Sequence, residues 1–257
     1  QNQIRTPAFS LWFNQSSKSV NDPTVHDGSG GMILLGGVDK SLYNGIFTFL
    51  PVVPVVLPQS GGGTFSTNKF WAVKPRSIIV GGTTIQAPHL GNAFFDSGST
   101  YIIVDAGTYS QIASGLGFAE LKNTYIVSCE AARKFPPITF VLGDANVSYS
   151  LTSDSYIIQP IDGSDNCHLA IQSTSASNAK VTWILGGPFL RSFYSLYDLK
   201  NRVVGLATAA DGRRPGNGTE ISQTSLLAAA AAGPSPSRGS KIVIIWEFLL
   251  MMGMLVL

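Results

Sequence analysis

Apolar runs in this chain are short, and glycine, proline or a Ser/Thr cluster ends each one. Met32-Ile33-Leu34-Leu35 stops at Gly36-Gly37, Ser77-Ile78-Ile79-Val80 at Gly81-Gly82, and Val181-Thr182-Trp183-Ile184-Leu185 at Gly186-Gly187. Runs of about four to eight residues bounded in this way suit strands, because a helix needs a longer stretch at a 3.6-residue period. The pattern predicts an all-β protein with many turns. With 257 residues, 27 of them glycine, the chain can build one large domain or two small ones around a real core.

Taken in order, Phe9-Ser10-Leu11-Trp12-Phe13 alternates as a half-buried strand and forms a long-looped hairpin with 32–37. Prolines at 51, 54 and 58 push the extended segment 45–53 to an edge or an irregular path. Strands are expected at 70–73, 77–80, 83–85 and 101–104. Residues 106–119 read as a short amphipathic helix on Tyr109, Ile112, Ala113 and Leu116, ended by Gly115 and Gly117. Further strands fall at 125–129, 136–143, 147–151, 156–158, 167–171 and 181–187. Pro188 is allowed at a helix start. Residues 193–199 and 202–207 make a closing hairpin over Lys200-Asn201.

A net charge of +2 with 12% charged residues leaves no basic stripe, so no nucleic-acid partner is expected. His26, His89 and His168 lack metal-ligand spacing, and no CxxC, P-loop or G-x-S-x-G pattern occurs, so no metal site and no cofactor are expected. The two cysteines, Cys129 and Cys167, suit one disulfide in an oxidising compartment; the alternative is two unrelated buried thiols. Sequons at Asn14, Asn146 and Asn217 are candidate glycosylation sites and lean the same way. The chain begins Gln-Asn-Gln-Ile and shows no signal peptide, as a processed protein or a downstream piece of a longer one would.

The composition divides the chain into a globular part at 1–212, a Ser/Gly/Ala/Pro-rich linker at 213–241 and an apolar tail at 242–257. As a helix the tail would span about 24 Å at 1.5 Å per residue, short of a hydrocarbon core of about 30 Å. Small residues at 228–232, a polar spacer and the tail match a GPI-anchor attachment signal better. The alternatives are a membrane segment and a mispredicted gene end.

One stretch carries chemistry. Phe94-Phe95 leads into Asp96, and Ser97-Gly98-Ser99-Thr100 follow before the apolar run Tyr101-Ile102-Ile103-Val104. An acid at a strand–turn–strand junction is costly unless it is hydrogen-bonded, and the neighbouring hydroxyls and backbone N–H groups supply donors. Asp96 is thus a candidate catalytic carboxylate.

In order with other segments, this stretch resembles the second active-site motif of the pepsin-like (A1) aspartic proteases. Phe9–Phe13, Met32-Ile33-Leu34-Leu35-Gly36-Gly37-Val38-Asp39, Tyr43-Asn44-Gly45, Trp71-Ala72-Val73, Ile184-Leu185-Gly186, Phe189-Leu190-Arg191, Tyr194, Asp198 and Val203-Val204-Gly205-Leu206-Ala207 resemble the second lobe of that family, over about 8–208. The sequons and tail resemble its fungal, cell-surface members. The resemblance implies an all-β, C-terminal lobe of the bilobal acid-protease fold, a Cys129–Cys167 disulfide, secretory or cell-surface localisation, polypeptide substrates and membrane attachment through the C-terminus. In such enzymes two carboxylates share one proton, because two like charges so close cannot both ionise; the handling of that proton lets one activate water while the other polarises the scissile carbonyl.

Carried over, Asp96 is one of the two carboxylates. Ser97 reaches toward backbone near the partner aspartate, Gly98 allows close backbone approach, and Ser99 bonds the outer oxygen of Asp96. Thr100 completes the motif, while Ile184, Leu185 and Gly186 pack beneath the loop. The departure is equally informative: no second Asp-Ser/Thr-Gly and no flap tyrosine occur, so the expected partner is a missing N-terminal lobe with the first catalytic aspartate. The function expected is aspartic endopeptidase activity, incomplete in this chain alone. The alternative is a non-catalytic, inhibitor-like binding protein of the same fold, or a truncated inactive fragment.

Overall fold

The computed structural model describes residues 6–14, 30–58, 62–88, 91–118, 126–158, 164–174, 183–210 and 219–220. The apolar tail, Asn217, His26 and His89 lie outside the described residues; of the expected linker only Thr219–Glu220 is described, and it pairs as a short antiparallel strand with Gly37–Val38. The chain forms two compact units, Gln1–Pro51 with Leu190–Leu257, and Val52–Phe189.

The first unit is a five-stranded antiparallel sheet. Its strand order is Gly31–Leu35, Ala8–Phe13, Phe193–Asp198, Val203–Ala209, Tyr43–Pro51. The 9–37 hairpin forms as expected, with Phe9 opposite Leu35 and Trp12 opposite Met32. The proline-bearing strand takes the edge, where an absent N–H costs no ladder bond. Ser10 departs from simple wet-and-dry alternation. It is buried, donating to the Gly37 carbonyl at 2.8 Å and sharing a 2.7 Å hydrogen bond with the Tyr194 hydroxyl. A hydroxyl with two partners can occupy an interior that the sequence alternation assigns to solvent. The Tyr194 oxygen also accepts from Asp39 N–H at 3.1 Å, and Trp12, Leu42, Phe47 and Leu196 fill the core around it. Asp198 closes the last hairpin, its buried carboxylate accepting from the N–H groups of Lys200 and Asn201 at 2.8 and 3.0 Å.

The second unit holds a mixed five-stranded sheet in the order Ile171–Ser173, Ile102–Val104, Trp183–Leu185, Ala93–Phe95, Ala72–Val73. A four-stranded antiparallel sheet follows the order Val147–Leu151, Ile138–Leu142, Pro75–Val80, Thr83–Gln86. The helix forms at Ala106–Gly115 and buries Tyr109, Ile112, Ala113 and Leu116, the face read from the sequence. Asp105 caps it, accepting from the Thr108 N–H at 2.9 Å. Gly117 follows with φ +89°, a conformation suited to glycine.

Several expected strands are shorter. Ile126–Val127 stops before Cys129, because Ser128 caps a helical turn at Cys129–Ala132. Tyr156 ends the turn Ser153–Tyr156 and leaves only Ile157–Ile158 extended. Ala170 interrupts 167–171, its N–H donating to Tyr156 O while its carbonyl accepts from Ile102 N–H. At Cys129 a side-chain cap wins over β propensity, and at Ala170 the backbone bonds to Tyr156 and Ile102 do. Cys129 and Cys167 form a disulfide. Among the described residues no helix is long and apolar enough to cross a membrane.

Candidate active site

The strand Ala93–Phe95 delivers Asp96 to its position. Phe95 N–H donates to Trp71 O at 3.0 Å, and Asp96 N–H donates to Leu185 O at 3.3 Å. The backbone leading into Asp96 is therefore held from both sides, at Phe95 and at Asp96 itself. Behind it Phe95 packs against Phe189, which in turn meets Phe140 edge to face, with ring centroids 5.9 and 5.8 Å apart. This aromatic core anchors a strand only three residues long.

The chain then turns. Gly98 N–H donates to Asp96 Oδ1 at 2.9 Å, and Ser99 N–H to Asp96 O at 3.3 Å. The second carboxylate oxygen, Oδ2, accepts no hydrogen bond among the described residues, and Asp96 is half-buried. One oxygen is fixed by backbone; the other is free to meet water or a proton. Ser97 is half-buried, and Gly98 and Thr100 are exposed.

Beneath the turn runs Trp183–Leu185. It lies parallel to Ala93–Phe95, with Phe94 opposite Ile184, and antiparallel to Ile102–Val104, with Ile103 opposite Ile184. The strand thus threads between the two arms of the Asp96 loop. A Cβ on Gly186 would stand 2.3 Å from Tyr101 O and 2.5 Å from Ser99 O, so only glycine fits. Gly187 N–H donates to Ser99 O at 2.8 Å and ties the loop down.

Ser99 differs from expectation. Its hydroxyl donates to Tyr101 O at 2.8 Å and makes no bond to the Asp96 carboxylate. The side chain therefore braces the return of the loop. Tyr101 and Trp71 are half-buried. The sequence reading missed the carbonyls of Trp71 and Tyr101 as structural acceptors. Backbone acceptors carry no residue-type signature, so no motif could have marked them. Three or more His, Cys, Asp or Glu side chains arranged to hold a metal are absent among the described residues.

This arrangement, an Asp-Ser-Gly turn with a strand threaded through it, coincides with a sequence match. The family model for eukaryotic aspartyl proteases matches residues 1–209. The chain belongs to the eukaryotic aspartyl protease family. Among relatives of this aspartyl protease chain, gastricsin of Macaca fuscata fuscata is 30% identical over 211 residues, covering 80% of this chain and 49% of the gastricsin. Cathepsin E of Aquarana catesbeiana is 28% identical, covering 80% of this chain and 46% of its own. Pregnancy-associated glycoprotein 2 of Bos taurus is 29% identical, covering 79% and 46%. The aspartyl protease chain spans about half the length of these curated relatives.

Proposed function

We propose that this chain supplies one half of an aspartic endopeptidase, with Asp96 as one of its two catalytic carboxylates. The observation that carries the reading is the carboxylate itself: Oδ1 is held by Gly98 N–H while Oδ2 accepts no hydrogen bond among the described residues. A general acid or base needs an oriented carboxyl with one oxygen open to the reacting water, and the threaded strand supplies the orientation. In this reading Ser97 reaches toward backbone near the partner aspartate of the first lobe; Ser99 holds the loop through its bond to Tyr101 O.

The chain contains a single Asp-Ser-Gly, and its curated relatives are about twice as long. The second carboxylate and the other wall of the cleft therefore come from a first lobe, and this chain alone does not cleave. Substrates are polypeptides, and a disulfide fits the secretory pathway. Surface attachment of the fungal kind rests on the composition of 213–257. A non-catalytic binding relative is the second reading, favoured by the one-carboxylate inventory.

The test has two arms. The 257-residue chain is assayed on an unfolded protein at acid pH with and without pepstatin, and no cleavage is expected from monomer. The reading frame upstream of Gln1 is then sequenced and the longer product assayed. An Asp-Thr/Ser-Gly there, with pepstatin-sensitive cleavage abolished in Asp96→Asn, supports the proposal. Pepstatin-sensitive cleavage by the isolated monomer, or full activity of Asp96→Asn in the longer product, overturns it.

A further inference from the structure

The turn at 143–146 joins Ile138–Leu142 to Val147–Leu151. Its last residue, Asn146, is exposed and has φ +53°, a left-handed conformation that asparagine tolerates better than most residues. Asn146 N–H donates to Gly143 O at 3.2 Å. Asp144, two residues earlier, is bridged by Lys74 and Arg76 from the adjoining strand region, which pins the turn to the sheet. The carboxamide thus stands at the tip of an ordered hairpin.

Two residues on, Ser148 is also exposed. It sits on Val147–Leu151, the outermost strand of its four-stranded sheet. Asn146-Val147-Ser148 is an acceptor sequon with no proline at its centre. The Cys129–Cys167 disulfide indicates an oxidising compartment, the kind in which such acceptors meet their transferase.

Asn14 differs in structure while matching in sequence. It follows the strand Ala8–Phe13, is only 9% exposed, and its N–H donates to Gly30 O. A glycan there would have to draw a buried side chain out of the first unit. At Asn146 nothing has to move.

We propose that Asn146 carries an N-linked oligosaccharide and that Asn14 does not. The chemistry is transfer from a lipid-linked oligosaccharide diphosphate. The Asn146 carboxamide nitrogen forms a C–N bond to the anomeric carbon, and the C–O bond to the lipid diphosphate breaks. The lipid diphosphate leaves, and one carboxamide proton passes to the transferase. This inference is independent of any catalytic role for Asp96.

The test expresses the full chain behind a cleavable secretion signal in a eukaryotic host. Site occupancy is read by mass spectrometry after enzymatic deglycosylation, which converts an occupied asparagine to aspartate. Total cell protein is used, so a variant that fails to leave the cell is still counted. The expected result is conversion at Asn146, loss of that conversion in Ser148→Ala, and retention in Ser148→Thr. Ser148→Ala keeps Asn146 and its turn conformation, so its loss reports the acceptor rather than the fold. Unmodified Asn146 in wild-type chain, or conversion at Asn14, overturns the proposal.

Discussion

Gly186→Ala probes the threaded strand directly. The added Cβ would lie 2.3 Å from Tyr101 O, 2.5 Å from Ser99 O and 2.9 Å from Ser99 Cβ. Ordinary contact begins near 3.4 Å, so both carbonyls must retreat by about 1 Å. Neither can do so at no cost. Ser99 O is held by Gly187 N–H at 2.8 Å, and Tyr101 O by the Ser99 hydroxyl at 2.8 Å. Overpacking a tight site costs about 1–3 kcal/mol, and a clash with two restrained backbone carbonyls belongs near the top of that range. At about 2–4 °C per kcal/mol for a chain of this size, the midpoint should fall by roughly 6–12 °C. The control is Gly30→Ala, where the new Cβ meets nothing within 4 Å and the backbone conformation is ordinary. Its effect should stay within about 0.5 kcal/mol. Both are read by thermal and urea unfolding followed by tryptophan fluorescence. If Gly186→Ala is no more destabilising than Gly30→Ala, the account of the loop is wrong.

Three further outcomes follow from particular contacts. Ser99→Ala removes the bond to Tyr101 O and should cost about 0.5–1.5 kcal/mol in urea unfolding. Tyr194→Phe strips partners from Asp39 N–H and the Ser10 hydroxyl and should cost about 1–3 kcal/mol at neutral pH. Burial pushes the Tyr194 phenol well above its ordinary value near 10, so the folded state resists ionisation that the unfolded chain accepts. That stability is complete below pH 10 and is lost as pH rises beyond it, so Tyr194→Phe should flatten the alkaline limb of a stability–pH profile. An unchanged alkaline limb would show that Tyr194 does not govern it. The double variant Cys129→Ala/Cys167→Ala opens a cross-link of sequence separation 38 and should lose about 4 kcal/mol by the chain-entropy relation. A calorimetric midpoint unchanged from the oxidised parent would contradict this.

The sequence alone determined the all-β class, the 9–37 and 193–207 hairpins and the buried face of the helix at Ala106–Gly115, and it singled out the Asp96 stretch as the candidate for chemistry. These rest on local signals: alternation, glycine and proline punctuation, and a helical period. Asp105 as the helix cap also follows a local rule, since a carboxylate two or three residues before the free N–H groups satisfies them. The tertiary structure decided what depends on distant segments meeting. Ser10 is buried because Tyr194 and Gly37, far along the chain, complete its hydrogen bonds. Asn14 and Asn146 share a motif, and only the packing around them separates a buried side chain from an exposed one. Gly186 looks in sequence like the end of any strand; its necessity appears only where two carbonyls from 99 and 101 close over it. Contacts of this kind connect residues separated by tens to nearly two hundred positions, and no local pattern encodes which of them will touch.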